Sequence, residues 1–346
     1  MDGTRVTYLG SSFVEISEID VADDTAMQAV FDVDTRSSHI GRESMPQWTH
    51  QEMLGAYRSN DSGERQVVLG AYDGDTLLGF VSIWVPLLDN LDKVYLEVQV
   101  DPPARGRGVG TALLAEAEAL ARADARTLLL TESKIPPGQR ETHPYRRFAE
   151  SNGFEYSNVE VVRHLALPIP DAQLRTWTDH AAERHEGYTV ETFVDEFPDD
   201  LGESLCLLLG QLAVDAPTGL VDFEEEDFNV DRLRERYATA AAMDRAIYET
   251  VALSPDRVVV AQSTLAVANG PGTDVFQWGT FVHREHRGHR LGLAVKVANI
   301  KAVQDARPEK TRITTQNAET NDYMVNINKE IGFEPVEDSM EWIKRL

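Results

Sequence analysis

The clearest chemical signal in the sequence is a run of alternating arginine and glycine between residues 105 and 110. Glycine has no Cβ, so the backbone can approach a ligand closely there. A helix-like stretch follows, and the first N–H groups of a helix are unpaired donors at the positive end of its dipole. The loop therefore predicts a pyrophosphate site, to which two arginines add charge. Its residues are Arg105, Gly106, Arg107, Gly108, Val109 and Gly110.

Two common pyrophosphate motifs do not fit this loop. A P-loop ends in Gly-Lys followed by Ser or Thr, and that ending is absent. A dinucleotide fold needs G-x-G-x-x-G directly after its strand, whereas here the glycines run G-x-G-x-G and residues 101–104 intervene. The preceding strands also form a predicted hairpin. A nicotinamide or flavin site is therefore disfavoured.

A strand and a helix must hold this loop in place. Residues 94–100 alternate strictly, which predicts a strand with Tyr95, Glu97 and Gln99 on its polar face. Residues 111–123 are rich in Ala and Leu, which favours a helix. The loop is thus expected at a strand-to-helix junction.

The same pattern occurs twice in the chain. Three markers recur in the same order: a Val-Glu pair followed nine residues later by two aspartates, an eleven-residue frame around the glycine loop, and a Gly-Phe-Glu after a helix-like stretch. Their offsets are 176, 182 and 179 residues, which indicates a duplication with small insertions. The paired markers begin at Val14 and Val190, at Val100 and Val282, and at Gly153 and Gly332.

The duplication predicts two domains, residues 1–167 and 186–346, joined by a linker at 168–185 that carries a helix. A single core of 346 residues is also unlikely on size. In each half the expected order is β-α-α-β-β-β-α-β-α-β, which indicates an α+β fold with a mixed sheet. Asp23 and Asp24 are expected to cap the first helix, and Asp73-Gly74-Asp75 is expected to be a hairpin turn. The strands are expected at 13–16, 66–72, 77–85, 94–100, 128–131, 247–253, 258–267, 275–282 and 312–315, and the later helices at 111–123, 145–151, 293–303 and 321–331.

With the frame Val-x-Pro-x-x-Arg-Gly-x-Gly-x-Gly and the terminal helix-Gly-Phe-strand unit, the chain resembles the GNAT N-acetyltransferase superfamily. Both copies carry the resemblance, so the chain looks like a tandem GNAT protein. The resemblance implies two domains, each with a mixed, mostly antiparallel sheet flanked by helices. It also implies an acetyl-CoA-dependent N-acetyltransferase, in which a small primary amine attacks the thioester directly.

The resemblance also implies roles for the residues of the frame. In the first copy the backbone of Val98 and Val100 would pair with the pantetheine arm, the loop with Thr111 would hold the pyrophosphate, and residues 152–154 would close the domain. Arg290 stands in the second copy where the first has Gly108, so CoA binding there is less secure. The implied CoA-binding residues of the second copy are Val282, Arg287, Gly288, His289, Arg290, Leu291 and Gly292.

A base must take the proton of the attacking amine, because an amine is mostly protonated at pH 7. Glu97 matches the position of a glutamate that several family members use, although it is also an ordinary residue for a solvent-facing strand position. The second copy has Gly279 in that register. The family's usual acid tyrosine is replaced in both copies, by Ala149 and Asn328. The remaining candidates for the acid are Tyr145 and Tyr323.

Three histidines in the second loop fall at three-residue steps, which is a conceivable zinc pattern. Arginines interleave with them, and cations beside a zinc ion are unfavourable. We therefore expect no metal and a basic loop that faces the CoA phosphates. The histidines are His283, His286 and His289, and the arginines are Arg284, Arg287 and Arg290.

Composition limits the remaining possibilities. The formal charge of −25 argues against nucleic-acid and anionic-membrane partners and permits a cationic one. There is one cysteine, no signal-peptide pattern and no long apolar run, so a cytoplasmic location is expected. The acidic segment 222–227 could guide a cationic acceptor or simply be a solvated helix start. Two functions stay open: an N-acetyltransferase, and a non-catalytic acyl-CoA-binding or scaffolding protein.

Overall fold

A computed structural model describes residues 5–9, 12–42, 45–270, 272 and 274–346, with side chains from Val14 onwards. The chain divides into two compact units, which are residues 1–158 with 338–346, and residues 159–337. We call them the first and the second domain. The elements of the first copy are β1 (Arg5–Leu9), β2 (Ser12–Glu18), α1 (Asp24–Ser38), α2 (His50–Arg58), β3 (Glu64–Asp73), β4 (Thr76–Pro86), β5 (Lys93–Val100), α3 (Val109–Ala123), β6 (Leu128–Ile135), α4 (Pro144–Ser151) and β7 (Glu155–Ala166).

The second copy follows the same order. The helix predicted in the linker is present, and it precedes the strand that opens this copy. The elements are α5 (Asp171–Ala182), β8 (Thr189–Val194), α6 (Asp199–Gly210), α7 (Leu212–Asp215), α8 (Val230–Ala242), β9 (Arg245–Leu253), β10 (Val259–Ala268), β11 (Asp274–Val282), α9 (Leu291–Ala306), β12 (Arg312–Ala318), α10 (Asp322–Ile331) and β13 (Glu334–Arg345).

Local signals in the sequence explain where these elements begin and end. The Asp23 carboxylate accepts hydrogen bonds from the N–H groups of Thr25 and Ala26, at 2.8 and 3.3 Å, and so caps α1. Gly74, with a φ of +57°, makes the turn between β3 and β4. Both features are as the sequence predicts.

Each domain contains a mixed, mostly antiparallel sheet, as predicted. In the first, β1 to β5 form antiparallel neighbours in chain order, and β6 joins β5 in parallel. In the second, β8 to β11 do the same, and β12 joins β11 in parallel. Val81 belongs to the core that contains α3, whereas Phe80 packs with α1 and α2, so helices cover both faces of the first sheet. The α+β fold class is confirmed.

The terminal strands of the two copies are exchanged. The segment Asp338–Arg345 of β13 pairs with β6 of the first domain, and Glu160–Ala166 of β7 pairs with β12 of the second. The sequence predicts instead that residues 152–154 lead into a strand closing their own copy, with boundaries at 167 and 186. The open edges of β6 and β12 offer equivalent backbone donors and acceptors to an added strand. The local sequence pattern therefore does not distinguish the two pairings.

The exchanged strand supplies part of the first domain's core. Trp342 of β13 is 1% exposed and belongs to the same apolar cluster as Leu113 and Phe154. Its indole Nε1 donates a hydrogen bond to Ser133 Oγ at 2.8 Å. The first domain therefore depends on a strand that lies at the other end of the chain.

Among the described residues, we find no helix with both the length and the apolar character that a membrane-spanning helix needs.

We predict that Trp342→Ala destabilises the first domain by about 3 to 5 kcal/mol, because it removes a fully buried indole and its hydrogen bond. Chemical denaturation, followed by circular dichroism, measures the loss. Tyr323→Ala is the control, since this second-copy tyrosine is 75% exposed. An unchanged free energy of unfolding for Trp342→Ala would contradict the strand exchange.

Candidate active site

A cleft opens in the first domain where two parallel strands separate. The pairing of β5 with β6 extends only from Lys93 to Tyr95, opposite Leu128 to Leu130. Beyond Tyr95 the strands border a cavity of about 470 Å³, which the predicted pantetheine residues Val98 and Val100 help to line. The backbone of β5 can therefore offer hydrogen bonds to an extended ligand lying in the gap.

The glycine loop lies at one end of this cavity. Gly106 and Gly108 have φ values of +74° and +87°, in the left-handed region that favours glycine. Gly108 is the N-cap of α3, and none of the described side chains caps this helix. The first helical hydrogen bond runs from Ala112 N to Gly108 O at 3.0 Å, so the N–H groups of residues 109–111 precede the ladder. This arrangement suits an anion such as a pyrophosphate.

The third glycine of the loop serves helix packing. A Cβ on Gly110 would lie 2.9 Å from Cζ of Phe148, a distance that real Cβ atoms do not show. The absence of a side chain therefore lets α3 approach α4 closely at the loop.

The two arginines of the loop have different surroundings. Arg105 donates from Nε to the Val100 carbonyl, from one terminal nitrogen to the Ser37 carbonyl and from the other to Tyr145 Oη, at 3.1, 3.1 and 3.3 Å. It thus connects β5, α1 and α4. Arg107 is 44% exposed, and its nearest carboxylate, on Asp73, lies 3.6 Å away. Arg107 is the arginine better placed to meet a phosphate.

Glu97 lies on the cavity wall together with a line of hydrogen bonds. Gln99 Nε2 donates to the Glu97 carboxylate at 2.7 Å, and Ser37 Oγ donates to Gln99 Oε1 at 2.8 Å. The buried Ser37 of α1 thereby orients the Gln99 amide, and this amide orients the Glu97 carboxylate. Glu97 is exposed and can reach a ligand.

A charged pair faces Glu97 across the cleft. Because Tyr95 is paired with Leu130, the residues two and four positions beyond Leu130 share the face of Glu97. These are Glu132 and Lys134, whose carboxylate and ammonium are 2.6 Å apart. Glu132 raises the pKa of Lys134, so Lys134 is a cation at neutral pH. Ser339 of the exchanged strand donates to Glu132 at 2.7 Å.

Sequence reasoning missed the polar residues that α1 and the following turn contribute. Burial and, secondarily, the Glu97 carboxylate raise the pKa of Asp34 to about 6. Arg42 lines the cavity and donates to the Ser38 carbonyl at 2.8 Å. Asp34, Ser38 and Arg42 fall at four-residue steps, so helical spacing was a signal that could have found them.

The two candidate tyrosines lie in different environments. Tyr145 lines the cavity, accepts the hydrogen bond from Arg105 and packs edge-on against His143, with ring centroids 4.5 Å apart. Tyr323 is 75% exposed on α10. Tyr145 therefore lies on the wall of the first cleft, whereas Tyr323 faces solvent on the second domain.

The basic loop of the second domain is engaged by neighbouring protein groups. Arg284 and Arg287 bind the two oxygens of Asp215, at 2.7 and 3.0 Å. Arg290 bonds the Glu183 carboxylate and the His180 carbonyl, each at 2.5 Å. The other predicted residues of this loop and of the strand before it are Val282, Gly288, His289, Leu291 and Gly292.

The histidines of this loop also meet protein partners. His289 Nδ1 lies 3.1 Å from the Arg184 carbonyl, and His286 Nδ1 lies 2.9 Å from Tyr188 Oη. Within the described ranges no group of three His, Cys, Asp or Glu side chains is arranged to hold a metal ion. Arg290 has a φ of +54°, so it adopts the left-handed backbone that Gly108 adopts in the first loop.

The base position is remodelled in the second domain. Gly279 pairs with Thr264, and Thr264 pairs with Glu249, as Glu97 pairs with Ser82 and Ser82 with Val68 in the first domain. Along this line of paired residues, the second domain has its carboxylate on β9, two strands away from β11. Glu249 is 1% exposed and accepts a hydrogen bond from Thr264 at 2.9 Å, and burial raises its pKa to about 7.

Comparison with known proteins agrees with this architecture. Residues 64–156 match the family model of an acetyltransferase (GNAT) domain. No curated protein sequence matches the chain. A tandem GNAT protein from the clavulanic acid biosynthesis pathway is similar in structure, with 23% identity, a TM-score of 0.75, and coverage of 96% of this chain and 98% of that one.

Two further solved structures share the fold. A GCN5-related N-acetyltransferase from Sphaerobacter thermophilus has 15% identity and a TM-score of 0.65, covering 96% of this chain and 95% of its own. The N-myristoyltransferase of Saccharomyces cerevisiae has 13% identity and a TM-score of 0.62, covering 98% and 81%. The chain therefore has the tandem GNAT fold that the sequence predicts, and residues 64–156 of its first domain match an acetyltransferase (GNAT) domain model.

We predict that Asp34→Asn stabilises the protein at pH 7 to 8. The folded-state pKa of Asp34, about 6, lies above its usual 3.8, so Asp34 favours folding below pH 4 and loses that contribution as pH rises through 6. The asparagine variant should gain about 1 to 2 kcal/mol relative to the native protein over this window, a figure reduced for partial exposure. Denaturant unfolding at pH 4, 6 and 8 measures it.

Asp32→Asn is the matched control, because Asp32 lies on the same helix and is exposed. A pH-independent difference between Asp34→Asn and the native protein would contradict the assigned environment.

Proposed function

We propose that the chain is an acetyl-CoA-dependent N-acetyltransferase that acts on a small primary amine, with its reaction centre in the first domain. The observation that carries the proposal is the cleft itself. One end has an uncapped helix start behind Gly108, and the wall presents Glu97. The helix start can bind the diphosphate of the donor, and Glu97 can take the proton of the attacking amine. Both groups border the same cavity.

In the proposed reaction the amine nitrogen attacks the thioester carbon. The pantetheine arm lies along Val98 and Val100, and a backbone N–H of the strand stabilises the oxyanion. Glu97 takes the proton of the amine, directly or through a water, and Gln99 holds its carboxylate in place. The C–S bond then breaks, and the thiolate receives a proton from Tyr145 or from solvent.

The charges around Glu97 support an amine-bearing acceptor. Three carboxylates, on Asp34, Glu97 and Glu132, act on this end of the cleft, against the cations of Arg42 and Lys134. The balance is negative, so a cationic amine is drawn towards Glu97. Acetyl is the proposed acyl group because residues 64–156 match an acetyltransferase domain model.

The second domain is proposed not to act as a second donor site. Its loop arginines are bound by Asp215 and Glu183, and its base register holds Gly279. A CoA diphosphate would have to replace those carboxylates, whereas Arg107 of the first loop makes a longer contact of 3.6 Å with an exposed carboxylate, that of Asp73.

A non-catalytic acyl-CoA-binding protein is the second candidate. It is favoured by Ala149 and Asn328, which stand where a tyrosine is expected in the two copies. Calorimetric binding of acetyl-CoA without acetyl transfer to any amine of a broad panel would support it.

Glu97→Gln tests the proposed base. The variant keeps the shape and the hydrogen bond from Gln99 but cannot accept the proton, so we expect kcat to fall about 100-fold or more while acetyl-CoA binding is unchanged. Thiol release from acetyl-CoA in the presence of the amine measures the rate. Glu15→Gln is the control, because Glu15 is also an exposed strand glutamate, on β2, and does not line the cavity. Equal rates for Glu97→Gln and the native enzyme would exclude Glu97 as the base.

Gly108→Asp and Gly292→Asp test which loop holds the donor. A carboxylate at Gly108 repels the diphosphate and strains a φ of +87°, so acetyl-CoA binding and transfer should be lost. Gly292→Asp should leave both unchanged in the first domain. Calorimetry should give one acetyl-CoA per native chain, and two sites, or loss of transfer in Gly292→Asp alone, would refute the assignment.

A further inference from the structure

Four side chains of the second domain replace residues that line the cavity of the first. The offset of 182 residues between the glycine loops equates Lys296 with Leu114, and the offset of 179 between the Gly-Phe markers equates Asn328 with Ala149. The same offset equates Arg163 of β7 with Trp342 of β13. The parallel pairing ends at Thr314 in the second domain and at Leu130 in the first. Counting three residues onward from each equates Asn317 with Ser133. Each first-domain counterpart lines the cavity of about 470 Å³.

These four side chains form one buried chain of hydrogen bonds. Lys296 Nζ donates to Asn328 Oδ1 at 2.9 Å, and Asn328 Nδ2 donates to Asn317 Oδ1, also at 2.9 Å. Arg163 donates to the same Asn317 oxygen at 3.0 Å and to the Val161 carbonyl at 3.1 Å. A lysine and an arginine are therefore joined through two neutral amides.

Neither cation has an acidic partner. Lys296 is 1% exposed and Arg163 is 6% exposed. No carboxylate among the described residues lies within ion-pair distance of Lys296 or Arg163. The aromatic face of Phe333 lies 5.0 Å from Lys296 Nζ. Burying an unpaired charge costs several kcal/mol, so two such charges side by side are unusual without an anion.

The pKa values report the same imbalance. Burial and, secondarily, the positive charge of Arg163 lower the pKa of Lys296 to about 7. Burial also lowers the pKa of Arg163. The negative charge of the Glu319 carboxylate raises this pKa by a smaller amount.

A hydroxyl group on the same face of the sheet also lacks a partner. Thr280 stands where the first domain has Val98, and its Oγ1 is buried with no hydrogen-bond partner in the described part of the chain. β11 and β12 diverge beyond Phe276 and Thr314, as β5 and β6 diverge in the first domain. Thr280 and Asn317 lie on the strands that border this gap.

We propose that the second domain binds a small carboxylate anion between Lys296 and Arg163, beside the hydroxyl of Thr280, where β11 and β12 diverge as β5 and β6 do at the cleft of the first domain. A guanidinium binds a planar carboxylate through two parallel N–H groups, and an ammonium adds a point charge. The ligand is small because long side chains occupy the positions that leave the first cleft open. The proposal does not depend on the reaction of the first domain.

Thermal unfolding with sodium formate tests the site on the full chain. Sodium formate is varied against the sodium salt of Hepes at constant ionic strength. Hepes is the reference anion because its bulky sulfonate cannot enter a buried site. We expect a saturable rise of the unfolding midpoint in the native protein, as for any ligand that binds only the folded state. Chloride and phosphate at equal ionic strength should give smaller rises, and rises equal to that of formate would overturn the assignment to a carboxylate.

Lys296→Leu, which installs the first-domain residue, should abolish the formate-dependent rise. Lys301→Leu is the matched control, because Lys301 lies on the same helix, is 54% exposed and pairs with Asp305, and it should keep the rise. Asn328→Ala, which installs the residue of the first domain, is the second variant and should weaken the effect. A native protein without any formate-dependent rise, or a rise that Lys296→Leu retains, overturns the proposal.

Discussion

The parallel pairing of β5 with β6 ends after three residues, and the rest of the site depends on this separation. Backbone donors and acceptors of β5 beyond Tyr95 then face a gap instead of a strand. A ligand with an extended amide-bearing arm can complete the ladder that β6 leaves. The same separation lets Glu97 and Lys134, on one face of two strands, lie across a cavity from each other. If β5 and β6 were paired along their whole length, the backbone groups of β5 would be hydrogen-bonded to β6. No cavity would then lie between these side chains.

The second domain shows that this backbone constraint and the chemistry of the cleft are separable. Its strands β11 and β12 also part after three pairs, and its helix α9 also begins at a left-handed residue with no described side-chain cap. Yet the positions of Leu114 and Trp342 hold Lys296 and Arg163, and the loop arginines bind carboxylates of their own domain. Duplication has thus kept the main-chain geometry and changed the side chains, so the fold alone does not decide what either cleft binds.

How far the sequence could predict this structure depends on the range of each interaction. The cap at Asp23, the turn at Gly74 and the glycine loop are set by neighbours within a few residues, and their patterns identified them. The duplication followed from spacing. The exchange of β7 and β13 did not, because two equivalent sheet edges offer the same hydrogen bonds and the choice is made between distant parts of the chain. Arg105 shows the same limit, since its bonds to Ser37 and Tyr145 arise only after folding.

The strand exchange has a consequence for how the two copies can evolve. The wall of the first cleft includes Trp342, and Ser339 holds Glu132 beside Lys134, so residues near the chain's end form part of the first domain's site. A chain cut at the linker would leave β6 with an unpaired edge and the cavity without its indole wall. The second copy is therefore structurally required by the first, whatever its own domain binds. This dependence explains how the second domain could lose the carboxylate at Gly279 and yet remain part of the protein.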